Sequence, residues 1–177
     1  MPKIKVLRII ARLNIGGPTI HTVLLTQGLD KARFESWLAC GTVSTQEGDM
    51  AYYAQERQVR PIYIPQLKRE LNPVYDVIAF IKILRIIWKI KPDILHTHTA
   101  KAGALGRIAG IIYNVERGLL RCARNDGRGD VRDDAVKLIH TFHGHIFDGY
   151  FNKFYTKLFI MLERGMAFFT AKIITVS

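Results

Sequence analysis

Short apolar runs of strand type alternate with longer segments of helical periodicity along almost the whole chain. The first run, residues 4–11, is mostly apolar and rich in β-branched side chains, which is typical of a buried strand. Strands are predicted over residues 4–11, 34–43, 60–65, 92–99, 136–142 and 172–176, with helices over 19–30, 46–58, 72–91, 101–113 and 152–171 between them. This alternation predicts an α/β fold, with a doubly wound, mainly parallel, Rossmann-like sheet and helices on both faces.

The longest helical pattern, residues 72–91, has a recognisable start and a charged face. Asn72 is a typical N-cap residue. Lys82, Arg85 and Lys89 lie three and four residues apart, so they share one face of the helix. The other positions are mostly apolar, and we expect this helix to be largely buried with its basic stripe outward.

Residues 113–135 interrupt the alternation. A connection between a helix and a strand normally takes about 2–6 residues, and this segment is much longer. It is rich in turn-forming residues and balances five arginines against five acidic residues. We predict an inserted, mobile surface loop, for which a lid is one functional interpretation, within a single domain that spans residues 1–177.

The chain has 177 residues, of which 49% are hydrophobic, and a net charge of +11. One compact core fits this size, and the basic balance favours nucleic acid, phosphorylated metabolites or an anionic membrane surface as partners. A solvated basic surface without a partner is the plain alternative. We predict no nucleic-acid binding, because the aromatic residues of the last helical pattern recur at helical spacing, as core residues do.

The sequence also bears on location. No uncharged apolar run approaches the ~20 residues of a membrane-spanning helix, and the N-terminus lacks the pattern of a signal peptide. Cys40 and Cys122 have no metal-ligand spacing, and Cys40 lies in an apolar run, where we expect it buried and reduced. The prediction is a cytoplasmic protein, either free or peripheral at the inner face of the cytoplasmic membrane.

Polar residues collect where three of the predicted strands end. Gly16 and Gly17 follow the first strand, residues 96–99 end the fourth and residues 140–145 end the fifth. Doubly wound sheets bind ligands at these carboxyl ends. The glycine pair enters a helix whose free N–H groups favour anions, although a plain tight turn also explains it. It is neither a dinucleotide-binding fingerprint nor a Walker A loop.

The histidines at these strand ends do not predict a metal site. We expect His96 and His98, which alternate along an extended segment, to face opposite sides of the strand and not to share a metal ion. His143 and His145 have the same spacing, and no cysteine or carboxylate cluster completes a ligand set. We therefore predict neither a metal nor a cofactor, and a structural hydrogen-bonding role for individual histidines stays open.

Carbohydrate and phosphate chemistry fits these residues better. Imidazoles and short hydroxyls can hydrogen-bond to sugar hydroxyls, and Lys101 and Arg107 can meet phosphate groups. No nucleophile elbow or nucleophile–base–acid set is present. A sugar or sugar-phosphate ligand is the resulting prediction.

Six segments that contain these residues resemble the N-terminal half of GT-B-fold glycosyltransferases of family 4. In chain order they are "GGPTIH", "EGDM", "LKRELNP", "KPDILHTHTAKAGALGRIAG", "HTFHGHIFDGYF" and "LERGMAFFTAKIITVS". Several matching segments in the right order are far more specific than any one of them. The resemblance implies transfer of a sugar from a nucleotide-sugar to a polysaccharide or lipid-linked acceptor.

The resemblance also implies roles for particular residues. His143, in "TFHG", would be catalytic: it would hydrogen-bond to the transferred sugar and stabilise developing charge. The loop of Gly16 and Gly17 would approach the donor phosphate and the acceptor. The positions implied on the acceptor side are His21, Arg69, His98 and Lys101. Such transfer usually retains the anomeric configuration and needs no bound metal, through an oxocarbenium-like transition state.

Members of this family carry a second Rossmann-like domain that holds the nucleotide, and this sequence stops at "IITVS", where that domain would follow. The expectation is therefore an acceptor-binding half that is inactive alone, either a fragment of a longer enzyme or one subunit of a split transferase with a donor-domain partner chain. A non-catalytic module that binds sugar phosphates or a membrane surface is the alternative. A nucleotide-sugar epimerase of the same fold is a third interpretation, against which the acceptor-like segments argue.

Overall fold

The structure, a computed structural model, describes residues 2–44, 47–68, 70–124, 135–144 and 153–176. Within them the strands are β1 (Ile4–Arg12), β2 (Phe34–Gly41), β3 (Ile62–Tyr63), β4 (Ile94–His98), β5 (Lys137–Phe142) and β6 (Lys172–Thr175). The helices are α1 (Gly17–Gln27), α2 (Ala51–Glu56), α3 (Pro73–Ile90), α4 (Ala100–Arg124) and α5 (Lys153–Phe168). The predicted alternation of strands and helices is confirmed.

All six strands are parallel and lie in the order β3-β2-β1-β4-β5-β6. The chain runs outward in the sheet from β1 through β2 to β3. The connection that contains α3 then returns it to the other side of β1, where β4, β5 and β6 follow in the opposite direction. The point where the order reverses, between β1 and β4, is the place where open α/β sheets form a ligand crevice at their carboxyl edge. The fold is therefore the predicted doubly wound, Rossmann-like sheet.

Alternate residues of β1 face two separate apolar layers. Leu7 and Ile9 pack in the layer that contains Ile83 of α3. Ile10 packs on the other face with Val23 of α1. Side chains of a strand alternate between the faces of its sheet, so one strand supplies both layers. The second layer also contains Cys40, which is fully buried as predicted.

Helix α3 begins where the sequence predicts. The Asn72 side chain accepts hydrogen bonds from the backbone N–H groups of Val74 and Tyr75, each at 3.1 Å, and so satisfies two donors at the start of the helix. No described helix is long and apolar enough to cross a membrane.

The expectation that α3 is largely buried is wrong. Its exposed face carries apolar side chains over its first half, with Val74 66% and Val77 58% exposed. Arg85 and Lys89 are exposed farther along, whereas Lys82 is half-buried and donates to Gln66 Oε1 at 2.8 Å. A helix that packs on a sheet with one stripe leaves its opposite face uncovered, and here that face is apolar and basic rather than uniformly polar.

The loop predicted over residues 113–135 is wrong in its first half, because α4 continues to Arg124. Asn114, a weak helix former, explains the error. Its side chain pairs with both backbone groups of Val136, donating to the carbonyl at 3.1 Å and accepting from the N–H at 2.8 Å. This contact from distant sequence offsets the local preference of asparagine for a turn. Residues 125–134 of the predicted loop lie outside the described part of the chain.

Candidate functional site

Three histidines from three elements meet at the carboxyl edge of the sheet. His98 is the last residue of β4, His143 directly follows β5, and His21 lies in α1. A hydrogen bond of 3.0 Å joins His98 Nδ1 and His143 Nε2, and the tautomers decide which of the two donates. The ring of His21 lies 5.9 Å from that of His98 and 5.2 Å from that of His143, between centroids. We call His21, His98 and His143 the histidine cluster.

His96 lies on β4 next to the histidine cluster, toward the middle of the strand, and extends the cluster into a polar stripe. The rings of His96 and His98 lie 4.2 Å apart, so the expectation that they face opposite sides is wrong. Residues two apart on a strand share a face, because only successive side chains alternate. His96 Nε2 shares a hydrogen bond of 2.8 Å with Thr141 Oγ1. This hydrogen bond holds the His96 ring on the face of the sheet. The histidine cluster forms the outer end of the polar stripe.

Arg8 lies beside His96 and is a residue whose position the sequence did not reveal. It pairs in register with His96 near the middle of β1, and it is only 4% exposed. Its Nη1 donates to Ser36 Oγ at 2.7 Å. Burial lowers the pKa of Arg8 to about 10, which leaves it charged at neutral pH. The repeat of two along β1 is the signal that puts Arg8 and Ile10 on one face.

The histidines of this stripe are held neutral at physiological pH. Burial, followed by the charge of Arg8, lowers the pKa of His96 to about 3. The pKa of His98 is lowered further, first by burial and then by the neighbouring His96 and His143. Burial and the proximity of His21 also lower the pKa of His143. A neutral imidazole has one donor and one acceptor nitrogen, which suits hydrogen bonding to sugar hydroxyls.

The loop before α1 presents backbone to this crevice. Gly16 is the N-cap of α1 and has a φ of +154°, a conformation that other residues rarely adopt. Gly16 has no side chain with which to cap the first N–H groups of α1. A Cβ on Gly17 would meet nothing within 4 Å, so the backbone there borders open space. Free N–H groups at a helix start attract anions, and the phosphate-side role of this loop stays a prediction.

His140 belongs to the opposite face of the sheet. Its Nδ1 shares a hydrogen bond of 2.9 Å with Thr97 Oγ1, and it is fully buried. Gly103 of α4 packs directly against the ring, because a Cβ at that position would lie 2.4 Å from His140 Cε1. His140 is therefore a core histidine at the sheet–α4 contact, away from the histidine cluster.

The two predicted phosphate contacts are engaged within the protein. Lys101 Nζ lies 2.5 Å from both Asp76 Oδ1 and the carbonyl oxygen of Glu70. Arg107 is fully buried, and its Nη2 donates to both carboxylate oxygens of Glu163 at 2.7 and 2.8 Å. Lys101 borders the crevice, whereas Arg107 joins α4 to α5. Of the other positions in the motifs, Arg69 and His145 lie outside the described residues.

A cavity of about 410 Å³ lies between the end of β1 and the segments that follow β2 and β3, and it was not foreseen from the sequence. Six of its seven lining residues are polar or charged, the exception being Val43: Arg12, Thr42, Val43, Ser44, Glu47, Lys68 and Glu70. Arg12 donates to both carboxylate oxygens of Glu47 at 2.6 and 2.7 Å, which fixes one wall. The cavity lies where β1 and β2 end. The ends of the predicted strands are therefore the sequence feature from which it could have been predicted.

The fold and the crevice define a doubly wound, Rossmann-like α/β domain, and sequence comparison gives its family. A sequence model of Glycosyltransferase Family 4 matches residues 15–177. The chain belongs to Glycosyltransferase Family 4. It is 27% identical over 146 residues to an Escherichia coli UDP-Gal:α-D-GlcNAc-diphosphoundecaprenol α-1,3-galactosyltransferase, a match that covers 82% of this chain and 31% of that protein.

Solved structures support the fold. A Listeria monocytogenes protein assigned as a UDP-N-acetylglucosamine 2-epimerase superposes with a TM-score of 0.66 at 17% identity, over 99% of this chain and 40% of that one. MurG of Acinetobacter baumannii superposes with a TM-score of 0.56 at 9% identity, over 99% of this chain and 41% of that one. The chain thus spans less than half the length of each of these proteins.

Proposed function

We propose that this chain is the N-terminal, acceptor-binding half of a glycosyltransferase that moves a sugar from a nucleotide-sugar to a lipid-linked acceptor. Membership of Glycosyltransferase Family 4 supports the reaction class. The chain spans 31% of the galactosyltransferase that it resembles, which supports the assignment of half an enzyme. Transfer then needs a donor-binding domain, either in the same polypeptide or in a partner chain.

The histidine cluster beside the glycine loop is the observation that carries this proposal. His143 stands at the carboxyl edge of the sheet with one nitrogen engaged by His98. The other nitrogen of its ring is free to hydrogen-bond to a hydroxyl of the transferred sugar. Gly16 and Gly17 bring backbone and the start of α1 to the same crevice, where they favour the diphosphate of the donor.

The surface next to the polar cavity suits a lipid-linked acceptor. Lys68 and Glu70 line the cavity, and the chain runs from them into the exposed apolar face of α3. Val74 and Ile81 on that face are 66% and 41% exposed. A sugar diphosphate can enter the polar cavity while its lipid stays in a membrane that contacts α3. Arg85 and Lys89 extend the same face and favour anionic headgroups.

The α3 face also supports the second candidate, a membrane-surface module without catalysis. An apolar and basic helix face binds an anionic bilayer whether or not a sugar is transferred. The two candidates differ at His143, which only catalysis requires. The epimerase interpretation has no comparable support, because the likeness to epimerases is one of fold at 17% identity.

The test is a transfer assay with the complete product of the gene, radiolabelled nucleotide-sugars and vesicles that hold GlcNAc-diphosphoundecaprenol. We expect His143→Ala to lower kcat about 100-fold, the size of effect seen when one transition-state hydrogen bond is removed. The KM for the acceptor should change less than threefold. His140→Asn is the matched control, because it alters a buried histidine on the opposite face.

A second arm separates membrane binding from transfer. Val74→Ser with Ile81→Ser should weaken vesicle binding at least tenfold, because burial of each side chain in lipid contributes about 1.5–3 kcal/mol. Val115→Ser, at a 55% exposed valine of α4, is the control. Vesicle binding without any transfer by the unaltered protein would leave the non-catalytic module as the better assignment, whereas full transfer by His143→Ala would refute the catalytic role of His143.

A further inference from the structure

We infer that the histidine cluster binds a divalent metal ion of the zinc type. One ring nitrogen from each of His21, His98 and His143 can be chosen so that the three lie within 4.8 Å of one another. The inference is independent of the proposed function, since it concerns the cluster alone.

The spacing of the nitrogens is close to that of a zinc site. Zinc binds imidazole nitrogens at about 2.0–2.1 Å, which sets neighbouring ligand atoms about 3.3 Å apart in a tetrahedral site. His98 Nδ1 and His143 Nε2 already lie 3.0 Å apart. His21 must approach by roughly 1.5 Å to complete the set. It is only half-buried and projects from α1, so rotation of its side chain can supply this movement.

Unpaired nitrogens in the cluster give an independent indication of a ligand. Among the described residues, His21 Nδ1 and His98 Nε2 are buried without a hydrogen-bond partner, and an ion held by His98 Nδ1 would engage the first of these, His21 Nδ1. A buried polar atom that lacks a partner is unfavourable, because it has lost its hydrogen bonds to water without gaining new ones. Coordination of a metal gives His21 a partner and replaces the single proton that His98 and His143 share.

The ligand set selects the class of metal. It consists of imidazoles, which favour Zn²⁺, Co²⁺, Ni²⁺ and Cu²⁺ over the oxygen-seeking Mg²⁺ and Ca²⁺. Three protein ligands leave one tetrahedral position open. His21 and His143 are partly exposed, so that position is reachable from the crevice. With Arg8 nearby and no carboxylate among the three ligands, an anion such as hydroxide or a phosphate oxygen suits the fourth position.

The grouping of these ligands could not be predicted from their spacing in the sequence. The prediction of no metal site rested on pairs of histidines that lie within one segment, such as His96 with His98. The fold instead takes one histidine from each of three elements. An ion held by His143 Nε2 would leave Nδ1 of the same ring, the nitrogen that we propose to contact the transferred sugar, unoccupied.

The test is a calorimetric titration of the untagged chain with ZnCl₂ after removal of metals by chelation. We expect one Zn²⁺ per chain with a micromolar or lower Kd, and no competition from millimolar Mg²⁺. His21→Gln and His143→Gln should each weaken binding at least tenfold. His140→Asn is the control and should leave the Kd within twofold. With Co²⁺, the visible absorption of a tetrahedral site should appear in the unaltered chain and disappear in both cluster variants.

Two results would overturn the inference. One is the absence of stoichiometric Zn²⁺ binding. The other is binding that survives both His21→Gln and His143→Gln unchanged, which would place the ion elsewhere. Circular dichroism checks the fold of each variant, and His21→Gln decides the matter if His143→Gln does not fold. The titration contains no sugar or lipid, so its failure leaves the proposed transferase function standing.

Discussion

The ion pair between Arg107 and Glu163 offers a sharp test of how α5 is attached to the domain. Arg107 has no exposed surface, and its Nη2 donates to both oxygens of Glu163. Its Nε donates to the carbonyl oxygen of Gly103 at 3.0 Å, which fixes the guanidinium along α4. The carboxylate is therefore the counter-charge of a buried cation.

Glu163→Gln keeps the shape of the side chain but removes this charge. Breaking a buried ion pair from one side costs about 3–5 kcal/mol, because the remaining charge stays buried without compensation. The Glu163 side chain is 11% exposed, so water reaches it and the lower end, about 3 kcal/mol, applies. Replacing both partners, as Arg107→Met with Glu163→Leu, should return the free energy of unfolding to within about 1 kcal/mol of the unaltered chain.

Urea unfolding followed by circular dichroism measures both differences. The double variant also tests whether Arg107 contacts a ligand, as the sequence predicts, because it removes the guanidinium while keeping the fold. We expect it to bind acceptor-bearing vesicles like the unaltered chain. A loss below about 1 kcal/mol for Glu163→Gln would refute the buried-charge argument. If the double variant is stable but no longer binds the acceptor, Arg107 is a ligand-binding residue after all.

Four further substitutions test local contributions to the stability of the domain. The pKa of His140 is lowered to about 3 from 6.5, chiefly by burial, so its contribution to stability is complete above pH 6.5 and is lost as the pH falls toward 3. Between pH 6.5 and 4.5 this amounts to about 2 kcal/mol, and His140→Asn should flatten the acid limb of a plot of unfolding free energy against pH by that amount. Gly106→Ala would set a Cβ 2.6 Å from Cγ2 of Thr97, a side chain that its hydroxyl hydrogen bonds hold in place. We expect this substitution to lower the free energy of unfolding, measured in urea, by about 2 kcal/mol. Gly118→Ala in the same helix, where a Cβ has open space around it, should raise that free energy by up to about 1 kcal/mol. Asn72→Ala should lower the thermal midpoint by the equivalent of about 1 kcal/mol, since two N–H groups lose their cap.

The sheet could be predicted because its signals are local. Each strand is a short apolar run between turn residues, and alternation with helices leaves little choice but a parallel sheet. Helix α4 shows the limit of such signals. It continues past Tyr113, where Asn114 pairs with Val136 in a contact across 22 residues of sequence that no local pattern reveals. The exposed apolar face of α3 was missed for a similar reason, since periodicity marks an apolar stripe without saying what covers it.

The site could be located but not assembled from the sequence. Strand ends predict that His98 and His143 approach each other, because parallel strands present these ends on one edge. The third ring, that of His21, arrives from a helix, and no spacing rule relates it to the others. Arg107 shows the converse, because a basic residue near the motifs is committed to a partner 56 residues away.

The most direct test of the central claim compares vesicles that differ only in the acceptor sugar. One set holds GlcNAc-diphosphoundecaprenol, and the other holds diphosphoundecaprenol without the sugar, at equal anionic charge. The account predicts that the 177-residue chain binds the sugar-bearing vesicles at least tenfold more tightly and binds free nucleotide-sugars weakly. Equal binding to both vesicle sets, together with tight binding of a nucleotide-sugar, would contradict the assignment of an acceptor-binding domain.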